Sequence, residues 1–209
     1  MYRNLDLYCG AGGISKGYAD AGFEVVGVDL HPQKHYPYQF HQQDALEYLA
    51  AHYMEFDAVH ASPPCQEYSM ASKQFRLAGK VYSDLIASTR DALVKTGKPY
   101  VIENVPGAPL INPIILTGAM FGMPIKRDRL FECSFHVEQP PMVFQKSAIK
   151  MGRRPKEGDV VWPVGHFSGV PYVKRHMGID WMTQKELAQA IPPVFSEYIG
   201  GYLLKYLTA

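Results

Sequence analysis

The feature that most constrains this chain is a short apolar strand candidate, residues 4–8, that runs straight into Gly10, Gly12 and Gly13 and then into a helical pattern stopped by Gly22. Strand, glycine turn and helix in that order let a main chain approach a ligand closely and offer it the N–H groups of a helix start. A second strand, EVVGVD at 24–29, is apolar enough for burial on both faces. The alternation continues with a helix over 44–52, a strand over 56–61 (FDAVHA), an amphipathic helix over 83–95 closed by Gly97, and a strand over 99–103 (PYVIE). This order predicts an α/β, Rossmann-like fold, a mostly parallel sheet flanked by helices, with the acting residues at the carboxyl ends of the strands.

Hydrophobic residues make up 47% and charged residues 20% of 209 residues, so a globular core is within reach and wholesale disorder is excluded. The expectation is a single catalytic domain over 1–209. Three cysteines, Cys9, Cys65 and Cys133, cannot all pair within the chain, and no apolar block follows Met1 and Arg3 before Asp6. The most apolar stretch, 109–125, is broken by Asn112, Pro113 and Pro124 and makes a poor membrane span. A soluble, cytoplasmic protein with packed or reactive thiols is expected, with no membrane and no protein partner implied. No metal-ligand spacing is read.

The net charge of +1 excludes a polybasic protein but averages over two unlike parts. In 134–178, rich in proline and glycine, Lys146, Lys150, Arg153, Arg154, Lys156, Lys174 and Arg175 face only Glu138, Glu157 and Asp159. The only strand candidates there are short, 160–162 and 172–173. This basic insert is either a solvated loop or a phosphate-contacting segment. Helical order returns over 179–209: Thr183 and Glu186 have capping-box spacing, Leu187, Ala190 and Ile191 follow, and an apolar helix over 195–207 comes after Pro192-Pro193.

Several residues carry chemistry. The run Gly10-x-Gly12 continues with Ile14 and Ser15, which breaks the dinucleotide pattern, but Asp29 ends the next strand where a carboxylate can accept from ribose hydroxyls. Asp44 is either a second ligand contact or the cap of a helix starting at Ala45. A nucleoside-containing cofactor suits this arrangement. Cys65, in Ser62-Pro63-Pro64-Cys65-Gln66, is held at the sheet edge by two prolines and reads as packing or as a nucleophile. Glu103 closes a strand behind three apolar residues, so desolvation should raise its pKa and suit it to donate a proton near neutrality; a salt-bridged structural role is the bland reading. Arg127 and Arg129, two apart, share a side if extended and can hold a base or phosphate.

Taken in order, LDLYCGAGGISKGYADAGFEVVGVD (5–29), ASPPCQEYS (61–69), VIENVPG (101–107), RDRLFE (127–132) and, more loosely, TQKELAQAIPPVFSEYIGGYL (183–203) resemble the DNA (cytosine-5) methyltransferases. The resemblance implies an S-adenosylmethionine-dependent methyltransferase fold and methyl transfer to carbon 5 of cytosine in DNA, through a cysteine adduct at carbon 6. It implies Cys65 as nucleophile, Glu103 on ring nitrogen 3, and Arg129 supported by Arg127 on the base carbonyl. It gives S-adenosylmethionine to Asp6, Tyr8, Cys9, Gly10, Ala11, Gly12, Gly13, Asp29, Leu30, Asp44, Ala45 and Pro64, with Asp29 on the ribose and Asp44 near the adenine amine. Gln66, Ser69, Arg153, Arg154, Lys174 and Arg175 are the expected nucleic-acid contacts, and the target base must be single-stranded or flipped out. Three departures stand out. Ile125 replaces the glutamine that usually precedes the arginine pair, Gly200-Gly201 replaces a Gly-Asn, and only 45 residues occupy the place of a large target-recognition domain. The short insert also leaves open the same chemistry on RNA or a free cytosine nucleotide, and a non-catalytic nucleic-acid binder.

Overall fold

A computed structural model describes residues 1–150 and 152–209, Ala71 by its backbone alone. Residue 151, in the basic insert, lies outside the described residues. Seven strands form one sheet in the order β3-β2-β1-β4-β5-β7-β6. They are β1 (Arg3–Leu7), β2 (Glu24–Asp29), β3 (Gln39–Gln42), β4 (Ala58–Ala61), β5 (Tyr100–Asn104), β6 (Ile114–Leu116) and β7 (Arg129–Cys133). The pairs from β3 to β5 are parallel, and β7 runs antiparallel to both β5 and β6. The expected mostly parallel α/β sheet is what forms. Strand order reverses between β1 and β4, and the crevice at such a switch point is where α/β sheets bind ligands.

The period-2 alternation of the strands sorts side chains onto two apolar faces. Leu5, Leu7, Val26, Val28, Val59, Ala61 and Ile102 pack with Tyr48 and Leu49 of α2 (Ala45–His52) and Leu93 of α4 (Ile86–Thr96). Val25, Ala58, Val101 and Phe131 pack with Ile14 and Tyr18 of α1 (Gly13–Asp20) and Phe195, Ile199 and Leu203 of α7 (Pro193–Leu207). A third cluster joins Ala11 and Ile125 to Val161, Phe167, Val173, Met177, Met182 and Leu187. The basic insert therefore shares its core with the glycine loop and with the chain beyond it.

Local chemistry sets the boundaries. β1 ends at Leu7 because Tyr8 turns left-handed (φ 59°), and Gly12 (φ 88°) turns the chain into α1. At Gly17 a Cβ would stand 1.9 Å from the Pro193 carbonyl oxygen, so α1 and α7 touch backbone to backbone. The helix expected from 83 begins at Ile86, whose N–H donates to the Asp84 carboxylate at 3.0 Å. The Thr183–Glu186 capping box forms and opens α6 (Gln184–Leu187). A five-residue helix, α3 (Lys73–Leu77), lies in the loop after Cys65.

Two expectations for the insert are corrected. The strand at 160–162 reduces to one isolated bridge, Val161 with Ile125. The strand at 172–173 is instead helix α5 (Val170–Met177): Gly169 and Gly178 are left-handed at its ends, proline occupies its first turn, and Val173 and Met177, one turn apart, are buried. β3 and β6 were not foreseen, β3 because QFHQ is a polar edge and β6 because it lies in a proline-punctuated run. No helix among the described residues is long and apolar enough to cross a membrane.

Candidate active site

Cys65 stands just beyond β4 on a turn fixed from several sides. Its carbonyl accepts from the N–H groups of Tyr68 (3.0 Å) and Ser69 (2.8 Å), and Arg76 donates to the carbonyls of Gln66 (2.6 Å) and Ser69 (2.9 Å). Ahead of it, the buried Asn104 amide donates to the Pro63 carbonyl at 3.0 Å, while the Asn104 carbonyl accepts from Val105 N–H at 2.9 Å. The end of β5 thus clamps the two prolines that carry the thiol.

The residue before that clamp is Glu103. Arg129, at the start of the neighbouring β7, meets it Nε to Oε1 at 2.9 Å, with both side chains nearly buried. Ser62 stands beside the carboxyl, since the preceding Ala61 of β4 pairs with Ile102 of β5, and favours its ionised form. Burial holds Glu103 above the usual carboxylate range, against the pull of Arg129, Ser62 and Arg127. The bland reading of Glu103 as salt-bridged and the reading of it as a desolvated acid are therefore both realised in one residue. Burial also pushes the Cys65 thiol up, Glu103 adds to the rise, and Arg129 and Arg127 oppose it. Cys65, Glu103, Arg129 and Arg127 form one electrostatically coupled group.

The two arginines nonetheless diverge. β7 begins only at Arg129, so the same-side rule for an extended chain does not reach Arg127. Arg127 is 4% exposed and donates to the carbonyls of Ala188 (2.9 Å) and Pro163 (3.3 Å), tying β7 to the insert and to the chain after α6. Burial lowers its guanidinium to about 9, and its Nε lacks a partner.

At the glycine loop, Asp29 accepts from Gly10 N–H at 3.0 Å and from His31 N–H at 2.9 Å. Leu30 beside it is 60% exposed. Asp44 caps α2, its Oδ1 accepting from Leu46 and Glu47 N–H, which leaves Oδ2 without a partner among the described residues. Ala45 behind it is buried. Tyr8 bonds Thr89 of α4 at 3.1 Å; burial raises its phenol, and Asp44 adds to the rise. Asp6, wholly buried, bonds the Ser15 hydroxyl through one oxygen and leaves Oδ1 unpaired; burial raises it to about 7. Cys9 is buried and its thiol is pushed well up. Gly13 closes on the Ile191 carbonyl, while the Ala11 carbonyl accepts from Trp181 Nε1 at 2.8 Å. Pro64 is half-buried next to Cys65.

These residues fit a charged nucleoside cofactor. A buried orphan carboxylate oxygen lies at Asp6 near the end of β1, an exposed apolar side chain at Leu30 just after β2, and a carboxylate oxygen without a partner among the described residues at Asp44 before α2. Tyr36, unmarked in the sequence, covers the loop: a Cβ on Gly12 would touch its ring at 3.0 Å, and its hydroxyl lies 2.7 Å from Ser15 Oγ. Asn104, Ser62, Arg76 and Trp181 were likewise missed, and only Asn104 carried a signal, its place beside Glu103.

The expected nucleic-acid contacts are dispersed. Gln66 is exposed and Ser69 half-buried on the turn after Cys65. On the insert, Arg153 pairs with Asp159, Arg175 with Glu157 at 2.6 Å, and Lys174 donates to the Asp180 carbonyl. Arg154 is exposed, with no protein partner among the described residues.

Sheet order, glycine loop and a cysteine beside an acid define a methyltransferase fold of the Rossmann-like class. The whole chain superposes on all of the Schizosaccharomyces pombe Dnmt2 methyltransferase with a TM-score of 0.65 at 16% identity, a likeness of fold alone. The family of C-5 cytosine-specific DNA methylases matches residues 2–109, and the chain belongs to that family. Among relatives, the type II methyltransferase M.AplI of Arthrospira platensis is 25% identical, over 96% of this chain and 59% of its own length. M.HgiDI of Herpetosiphon aurantiacus is 24% identical, over 62% of this chain and 50% of its own. The chain thus spans about half the length of the curated relatives it matches.

Proposed function

We propose that this chain transfers a methyl group from S-adenosylmethionine to carbon 5 of cytosine in DNA, through a covalent adduct between Cys65 and carbon 6. The observation that carries this reading is the clamp at the end of β5, where Glu103, paired with Arg129, adjoins the Asn104 amide that fixes the Pro63-Pro64-Cys65 turn.

The cofactor, when bound, supplies an electrophilic methyl group on a sulfonium. Asp29 and Asp44 would hold its nucleoside hydroxyl and amine groups, Leu30 would cover a base face, and Asp6 would face positive charge. Carbon 5 of cytosine is too weak a nucleophile unaided. The Cys65 sulfur adds to carbon 6 as the thiol proton leaves to solvent, and Glu103 gives its proton to ring nitrogen 3. Carbon 5 then takes the methyl group. A base removes the carbon-5 proton, the ring double bond re-forms as the Cys65 sulfur is expelled, and ring nitrogen 3 returns its proton to Glu103. Burial, by raising Glu103, favours its protonated form over the bare carboxylate. Arg129 orients the acid and offers its guanidinium to the base carbonyl. Arg127 and Arg129 stabilise the thiolate as it forms. A base stacked in a duplex cannot bring its carbon 6 to Cys65 and its ring nitrogen to Glu103, so the target cytosine is flipped out or unpaired. Residues 134–178 act as a short insert in one catalytic domain, with Arg154 free to meet a phosphate.

The test is incubation with radiolabelled S-adenosylmethionine and DNA, tRNA or dCMP, followed by digestion to nucleosides. Labelled 5-methyldeoxycytidine from DNA is expected. Label only in tRNA or in the free nucleotide would move the substrate, and no label in any acceptor would reject methyl transfer.

A further inference from the structure

Hydrogen bonding behind Glu103 continues deep into the sheet. Ser62 follows Ala61, whose pairing with Ile102 sets Ser62 beside Glu103, and its hydroxyl lies 3.1 Å from Nε2 of His60 on β4. The other ring nitrogen of His60, Nδ1, lies 3.0 Å from the hydroxyl of Tyr18 on α1. His60 and Tyr18 are both fully buried, and their rings meet edge-on with centroids 5.5 Å apart. The direction of the chain follows from its end. In the ionised form that pairs with Arg129 the Glu103 carboxylate can only accept, so the Ser62 hydroxyl donates toward it; the Ser62 oxygen then accepts from His60 Nε2–H, and Nδ1 is left with a lone pair that accepts from Tyr18. One tautomer satisfies every group.

We propose that Tyr18, His60 and Ser62 form a positioning relay that fixes the orientation of the Glu103 carboxyl and leaves it free to face the base. The proposal rests on the proton-donating role given to Glu103 above. The relay conveys a dipole, not a proton. Burial keeps His60 neutral, lowering it to about 3, and pushes the Tyr18 phenol far above its ordinary value, so neither exchanges a proton near neutrality. The groups facing Glu103 are Arg129 on β7, Arg127 before it, Cys65 on its turn, Ser62 after β4, and Asp6 on β1. Among them Ser62 is a neutral donor, and the relay holds its hydroxyl in one direction. Losing that donor removes support from the ionised carboxyl, so the Glu103 pKa should rise further.

The test compares wild type, Ser62→Ala, Ser62→Thr and Tyr18→Phe in the full chain, with folding checked by circular dichroism. Ser62→Ala should lower kcat about tenfold, with KM for DNA and cofactor nearly unchanged. It should also shift the descending, high-pH limb of the kcat profile to higher pH. Ser62→Thr, which keeps the hydroxyl, should restore both. Tyr18→Phe removes one hydroxyl and should move both readouts the same way by less, which keeps the test decisive if Ser62→Ala misfolds. In the free protein, carbon-13 NMR should show the Glu103 carboxyl titrating higher in Ser62→Ala, and nitrogen-15 NMR should show His60 protonated on Nε2. An unchanged Glu103 titration, or His60 protonated on Nδ1, would overturn the relay. The NMR arms need no turnover, so a wild-type protein inactive on every acceptor would reject the proposed reaction while these arms still judge the relay.

Discussion

Cys65 carries the argument at the scale of single residues because its environment is asymmetric. Two guanidiniums favour its thiolate, while burial and Glu103 oppose it, so the resting sulfur stays protonated. Cys65→Ser should abolish methyl transfer and leave S-adenosylmethionine affinity nearly intact by calorimetry; loss of cofactor binding would instead make the thiol structural. Asp6 offers a test that needs no ligand. Its pKa is raised in the fold to about 7 by burial, from an ordinary value near 4. The neutral carboxyl therefore contributes stability that is fully present below about pH 4 and lost as pH rises through about 7. Asp6→Asn should gain on wild type between pH 5 and 8 by something on the order of 2 kcal/mol in urea unfolding. Parallel pH dependences for the two proteins would contradict a desolvated Asp6.

Among elements, the contact between α1 and α7 is the tightest constraint. A methyl group at Gly17 would collide with the Pro193 carbonyl and the Ser196 hydroxyl. Gly17→Ala should cost about 2–4 kcal/mol of stability by chemical denaturation, and an effect within experimental error would mean that the helices stand further apart. The elements most legible in the sequence were those whose apolar periodicity and end signals agree. β2 appears with the expected limits, Asp44 does cap its helix, and Thr183 with Glu186 forms the expected box. Where signals conflict, the sequence misled. Tyr172 and Val173 favour a strand, but glycines at both ends and burial of Val173 with Met177 make a helix. In the site, Cys65, Glu103 and Arg129 each lie at or just beyond a strand end and were legible. Tyr36, the placing of Ser62 beside Glu103 and the true partners of Arg127 were not, because these contacts span 21 to 61 residues of chain without any local pattern.

At the scale of the molecule, the charge of +1 resolves into a basic insert on a mildly acidic remainder, and the structure divides that charge further. Arg153 and Arg175 are paired with acids of the insert itself, whereas Arg154 is not. Arg154→Ala should therefore reduce the slope of log affinity for DNA against log salt by about 1, and Arg153→Ala by less. Equal slopes for wild type and Arg154→Ala would place phosphate contact elsewhere. DNA in which cytosine carries fluorine at carbon 5 tests the covalent step at Cys65 most directly. With no proton to remove from that carbon, the sulfur cannot be expelled after methyl transfer. Incubation with this DNA and S-adenosylmethionine, then digestion and mass spectrometry, should find the Cys65 peptide bonded to a methylated fluorocytosine nucleotide, and none in Cys65→Ser. Methyl transfer to ordinary DNA without that adduct, or with the adduct at Cys9 or Cys133, would contradict the account.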